Sequence, residues 1–405
     1  MPSKLNNPAG IFFFILLLLP ALSHSADWPQ FYGPDRNGIS YETGLNKNWN
    51  KKTPEILWRV SMSDDGYAGP CVAGGTVFII DRRGDDDIIK ALDLSTGREK
   101  WNFAYADPGD KHYGFARSTP TFQNGKLWTI SRMGFIQCLD AFSGKAIWSL
   151  ELLEKISGEL PVWQLALSPL IHGDMLIVCP GGARNPAAID KNTGKILWTG
   201  NVCDVPGYAT PVIAEIRGKK QYILFMETCV AGADAVNGKQ LWSVPWKTAQ
   251  PVNAAMPVMI NENILVSSSY GHGCALITIN DTGAAIIWEN KNLLAHFTTP
   301  VFYNNAIFGV SDPDNLVCID PDTGKLLWSQ KGFEKGGFLV ADGCIFALCG
   351  RTGELVLADA SAKSYNELGR IKPLGGQSWS PPVLSEKKLI VRNRKELACI
   401  DLSIQ

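Results

Sequence analysis

The chain lacks most of the sequence devices that announce chemistry. Its ten cysteines (71, 138, 179, 203, 229, 274, 318, 344, 349 and 399) include no adjacent pair, no C-x-x-C and no C-x-x-C-H. That excludes C-x-x-C redox or metal chemistry and c-type haem attachment. There are only five histidines, and the four beyond the leader (112, 172, 272 and 296) sit at no metal-ligand spacing. No G-x-S-x-G nucleophile elbow or nucleophile–base arrangement is present, and "GHG" at 271–273 is too short to cradle a phosphate. Neither sign of charge dominates: 38 Lys and Arg face 39 Asp and Glu, so there is no electrostatic footprint for nucleic acid. Long apolar runs are missing beyond the first residues, and no stretch holds a helical period for long.

The one apolar run, "IFFFILLLLP" at 11–20, follows Lys4 and precedes small residues at Ser23 and Ser25. Its length suits a secretory h-region and is too short to span a bilayer comfortably. Residues 1–25 are therefore expected to be a signal peptide cleaved near Ser25. The mature chain then has no transmembrane anchor and resides in the periplasm or outside the cell. No Cys lies near the cleavage point to accept a lipid.

Thirteen Trp and 39 Gly fit an all-β chain with many turns. "KALDLSTGREKW", "QCLDAFSGKAIW", "AAIDKNTGKILW", "AGADAVNGKQLW", "TINDTGAAIIW" and "VCIDPDTGKLLW" end at Trp101, Trp148, Trp198, Trp242, Trp288 and Trp328, spaced 47, 50, 44, 46 and 40 residues apart. A second marker, a small residue plus Pro opening the first strand of each unit, recurs at Pro70, Pro120, Pro169, Pro211, Pro257, Pro300 and Pro382; Phe338 holds the remaining slot. A period in this range with four strands per unit predicts a β-propeller. The slots number eight. The last unit, "ACIDLSIQ", stops after its third strand, and "ILWRV" with Trp58 supplies the missing fourth from the other end of the chain. The expected fold is all-β: an eight-bladed propeller of four-stranded antiparallel blades over 54–405, at 44 residues per blade, preceded by an N-terminal arm at 26–53.

The repeated residues have structural work. Gly97, Gly144, Gly194, Gly238 and Gly324 sit where the turn between strands C and D needs positive φ. Asp93, Asp140, Asp190 and Asp320 can accept N–H groups of that turn. Trp58, Trp101, Trp148, Trp198, Trp242, Trp288 and Trp328 are expected to fill the gaps between blades far from the axis. Cys138, Cys318 and Cys399 share a repeat slot with Ala91 and Ala188, and read as small buried apolar residues. The seventh copy, "LVLADASAKSYNELGRI", has lost both the Gly and the Trp.

The pattern A-x-D-x-x-T-G-x-x-x-W resembles the tryptophan-docking repeat of quinoprotein-type (PQQ-like) propellers, and "DWPQFYGPDRNGIS" at 27–40 looks like the arm of their secreted members. The resemblance covers almost the whole mature chain and implies one of two activities. One is a dehydrogenase of alcohols or sugars holding pyrroloquinoline quinone (PQQ) and Ca²⁺ over the axis. The other is a non-enzymatic scaffold, as in the outer-membrane assembly lipoprotein of this fold. The adjacent Cys pair of the quinoprotein alcohol dehydrogenases is absent, and so is the lipid-accepting Cys of the assembly factor. PQQ and Ca²⁺ thus stand as conditional cofactors.

Strands alternate in direction, so the D–A and B–C loops share one face. The long D–A loops lie there, at 102–118, 151–167 and 243–256, and long loops on a rigid ring are where binding usually lives. Three residues before each first-strand slot stand Tyr67, Arg117, Ala166, Tyr208, Ala254, Phe297, Lys335 and Trp379. Tyr67, Arg117, Tyr208, Phe297, Lys335 and Trp379 are the candidate ligand-binding residues, a ring of aromatics and cations able to stack a flat anion. The B–C loops add Arg132, Arg184, Arg351, Arg392 and Arg394. The competing reading has the rings packing on one another and the arginines solvated. "DRRGDDD" at 81–87 and "SDPDN" at 311–315 offer oxygens to Ca²⁺ but match no full coordination loop. No catalytic residue and no metal ligand is assigned. The favoured expectation is an exported, monomeric, non-catalytic propeller that binds a protein, peptide or glycan on its long-loop face. The alternative is a PQQ-dependent dehydrogenase.

Overall fold

The computed structural model describes residues 1, 27–63, 66–109 and 114–404. The signal-peptide expectation for 1–25 and His112 lie outside the described residues.

Eight sheets follow one another around an axis. The first blade runs Cys71–Ala73, Thr76–Arg83, Asp86–Asp93 and Glu99–Ala106, from axis to rim. The next five repeat that order within 121–151, 170–202, 212–245, 258–290 and 301–331. The eighth blade takes Val383–Ser385, Lys388–Arg392 and Glu396–Asp401 from the end of the chain and Glu55–Ser61 from its start. Trp58 stands opposite Cys399 in that register, as Trp101 stands opposite Ala91, Trp148 opposite Cys138 and Trp328 opposite Cys318. The slot facing each indole is small because the ring lies across it. Gly232 occupies it opposite Trp242. The three cysteines of this slot are buried free thiols, pushed up to about 12 by burial.

The C–D turns bear out the motif reading. Asp93, Asp140, Asp190 and Asp320 accept N–H groups from residues two or three further on, at 2.8 to 3.1 Å. The turn glycines have φ near +70° and lie directly beneath the preceding blade's indole: Gly97 under Trp58, Gly144 under Trp101, Gly194 under Trp148, Gly238 under Trp198 and Gly324 under Trp288. Four of these indoles reach across the gap to a carbonyl of the next blade: Trp58 to Leu94, Trp101 to Ala141, Trp148 to Lys191 and Trp288 to Pro321. Trp242 does not. The fifth blade's turn is displaced, Gly283 has no indole near it, and Trp242 Nε1 donates instead to Gln221 of its own blade at 2.6 Å.

The arm does more than precede the ring. Trp28 exchanges two backbone hydrogen bonds with Val72. Pro29 O accepts from Phe122, Arg36 Nη2 donates to Pro169 O, Tyr32 Oη accepts from Thr299 N, and Gly38 O accepts from Val340 N. The arm thereby occupies backbone groups on, or just before, the innermost strands of five blades, whose edges around the axis would otherwise be open. Its Ile39–Ser40 pairs in parallel with Phe338–Ala341 and makes the seventh blade five-stranded. Further on, Trp49 is buried against Gly369, which stands in the seventh blade's indole slot opposite Leu357. The arm returns the tryptophan that the seventh repeat lost.

Candidate functional site

Three of the small residues that open the first strands accept hydrogen bonds across blade boundaries. Ser168 Oγ accepts from Thr119 N, Thr210 Oγ1 from Ser168 N, and Thr299 Oγ1 from Met256 N, each at 2.8 to 2.9 Å across a blade boundary. Just before the first strands, Tyr67 N donates to Ala116 O and Tyr208 N to Asn253 O, both at 2.9 Å. The ring residues are therefore fixed by backbone contacts between blades, and their side chains converge.

All eight ring positions line one cavity of about 540 Å³ at the channel mouth. Phe31 and Tyr32 of the arm also line it. Tyr67 and Trp379 stack at 5.2 Å with 21° between their planes, and Phe297 packs on Trp379 at 5.4 Å. Lys335 Nζ lies 5.3 Å from the centre of the Trp379 ring, held there by a backbone at φ +47°. Arg117 donates to Gln164 Oε1 at a long 3.4 Å, and its buried Nε has no hydrogen-bond partner. Burial, with nearby Arg132 second, lowers the Arg117 guanidinium to about 10. Tyr208 is buried, and its hydroxyl accepts from Trp163 N at 3.1 Å.

Trp163, Tyr270 and His296 also line the cavity and were not selected from the sequence. Trp163 was visible as an aromatic inside a long D–A loop, whereas Tyr270 and His296 carry no repeat signal. Their rings meet edge to face at 5.1 Å, and Tyr270 Oη and His296 Nε2 are 3.1 Å apart. Burial, then Lys335, lowers His296 to about 4 against the opposing pull of Asp312, so the ring is neutral at neutral pH.

The loop arginines divide. Arg184 and Arg351 are exposed, but Arg132 and Arg392 are 1 % exposed, which corrects the solvated reading for those two. Arg132 Nε pairs with Asp107 at 2.5 Å, Arg82 with Asp87 at 2.9 Å, and Arg392 donates to Ala68 O. Arg394 lies near Gln377 at 3.4 Å. The carboxylates of 81–87 are partly consumed by the same pairing, since Asp81 meets Lys90 and Asp87 meets Arg82. Asp312 accepts from the Ser269 hydroxyl. Among the described residues, no group of three or more His, Cys, Asp or Glu is arranged to hold a metal.

The described lining of the cavity contains no Asp or Glu and two cations. Ca²⁺ is a hard ion that favours carboxylate oxygens, so this donor set does not fit it. Among the described residues this wall offers no carboxylate to a Ca²⁺ over the axis.

A family model described as outer membrane protein assembly factor BamB matches residues 42–113, 85–330 and 279–403. Outer membrane protein assembly factor BamB of Moranella endobia is 24% identical over 330 residues, covering 77% of this chain and 71% of the relative. The protein of that name from Yersinia pestis is 22% identical over 311 residues, covering 75% and 67%. Among solved structures, BamB from Moraxella catarrhalis superposes with a TM-score of 0.63 at 16% identity, covering 87% of this chain and 98% of that one. Quinohemoprotein alcohol dehydrogenase from Comamonas testosteroni superposes with a TM-score of 0.71 at 12% identity, covering 94% and 81%. At these identities the structural likenesses establish the propeller alone.

Proposed function

The chain belongs to the family of outer membrane protein assembly factor BamB, and from that premise we propose that it is an exported, non-catalytic scaffold holding a protein partner on its long-loop face. The observation that carries this reading is the family match, which runs from 42 to 403 and leaves no blade outside it. The relatives' name places them at outer-membrane assembly, and the secretory leader read at 1–25 would deliver this chain to the same side of the inner membrane. No described helix is long and apolar enough to cross a membrane. The ring is tied at both ends of the chain, which suits a platform that presents loops without deforming. Val162 and Met133 expose 61% and 39% of their surface on loops of that face, and exposed apolar side chains there are natural contacts for a protein partner. The dehydrogenase alternative is set aside because the chain's family is an assembly factor and the cavity wall does not suit Ca²⁺.

Genetic complementation tests the proposal. Removing the chain from its cell should lower the yield of folded outer-membrane proteins, and the intact chain should restore it. Val162→Asp with Met133→Asp should restore it only in part while leaving the melting temperature unchanged. Unchanged outer-membrane assembly without the chain would overturn the reading.

A further inference from the structure

We propose that the channel-mouth cavity is a binding site for a small aromatic carboxylate, a one- or two-ring acid whose ring lies on the aromatic wall and whose carboxylate is received by Arg117 and attracted by Lys335.

Four observations carry this. First, Phe31 and Tyr32 of the arm line the space together with the ring, in a cavity of about 540 Å³, within the roughly 300–1,000 Å³ of small-molecule sites. Second, its two cations have no carboxylate partner among the described residues. The Arg117 side chain meets only Gln164 at 3.4 Å, with its Nε unsatisfied, and Lys335 meets only the face of Trp379. A half-buried guanidinium without a salt-bridge partner is costly, and the same face shows what surrounds its structural arginines. Arg82 and Arg132 each have an aspartate, and Arg392 donates to the Ala68 carbonyl. Arg117 has no such hydrogen-bonded partner among the described residues, which leaves its guanidinium open to an anion from outside. Third, the ring order places Lys335, Trp379, Tyr67 and Arg117 consecutively around the axis, a stacked aromatic pair flanked by cations. Fourth, the ring falls to alanine at 166 and 254, on either side of Tyr208, which leaves room for the ligand opposite that arc. A planar ring gains from stacking, and an arginine–carboxylate contact is charge-assisted and directional. A neutral aromatic would satisfy the wall and leave the charges unpaired; an aliphatic acid would do the reverse.

The inference does not rest on the assembly reading. Calorimetric titration of the purified protein with indole-3-acetate, beside indole-3-acetamide, tests it. We expect saturable binding of the acid and at least roughly tenfold weaker binding of the amide. Arg117→Gln and Lys335→Gln should each weaken the acid severalfold or more, and Ala254→Leu should block it by filling the space. Lys145→Gln, on the opposite face, should leave it unchanged. Melting curves of each variant separate misfolding from lost binding, and Lys335→Gln keeps the test decisive if Arg117→Gln is unstable. No saturable heat up to about 10 mM, a concentration that would detect even Kd near the weak end of specific binding, would overturn the inference. So would equal binding of acid and amide, or an unaltered affinity in folded Arg117→Gln and Lys335→Gln. Any of these failures leaves the assembly role standing, because complementation does not read acid binding.

Discussion

Trp101 lies so close over the next blade's turn that a Cβ on Gly144 would stand 2.5 Å from its ring. Indole and glycine thus act as one contact, repeated around the rim. Gly144→Ala should cost about 2–4 kcal/mol, from strain at positive φ together with overpacking. Gly283→Ala, at φ +123° but with nothing within 4 Å of a new Cβ, should cost backbone strain alone, about 1–2 kcal/mol. Urea unfolding of the two variants checks the difference. Titration gives a second residue-scale prediction. Burial holds His296 at about 4 in the folded chain, below its unfolded value near 6.5. The unfolded state therefore binds more protons between those values, and His296 contributes stability that is lost as pH falls from about 6.5 to about 4. His296→Gln should flatten the melting-temperature profile in that window. Below it, the turn carboxylates Asp93, Asp140 and Asp320, held low first by the Thr96, Ser143 and Thr323 hydroxyls, lose their contribution as pH falls through their folded values.

At the scale of elements, the blades were legible and the arm was not. Strand order, the C–D turn and the pairing of Trp58 with Cys399 followed from repeat spacing because each is a local rule applied several times. The position of 27–53 obeys no repeat. Its contacts are backbone groups on, or just before, five different inner strands and one indole placed in another blade's vacancy, and nothing in its composition specifies them. The seventh repeat's missing Trp was visible in the sequence, yet its replacement by Trp49 was not, since the two positions are over 300 residues apart. Trp242 packs in the gap against Ile264, Val266 and Ile277 of the next blade as expected, but its missing turn contact was not legible, for a related reason. Its own copy of the motif is intact, while the turn that would receive it belongs to the next copy and is displaced. Trp49→Ala should therefore behave like loss of a docking indole and cost about 3–5 kcal/mol. Trp242→Phe, which keeps most of the packing but loses the Gln221 contact, should cost about 1–2 kcal/mol.

Across the whole molecule, two features set what the ring can do. The first and last strands of the ring share one blade, and the arm contributes Phe31 and Tyr32 to the cavity at the channel mouth. The candidate ring residues could be chosen from the sequence because equivalent positions in a propeller must meet at the axis. The arm's share of the cavity, the unpaired cations and the lack of carboxylates among the described lining residues are relations between blades, which one repeat does not encode. The proposed function is that of a binding body without turnover. Its most direct test is to mix the purified protein with PQQ and Ca²⁺ and follow reduction of an electron-accepting dye with a panel of alcohols and sugars. The account predicts a rate equal to that of PQQ and Ca²⁺ alone. Substrate-dependent dye reduction that saturates with PQQ would contradict it.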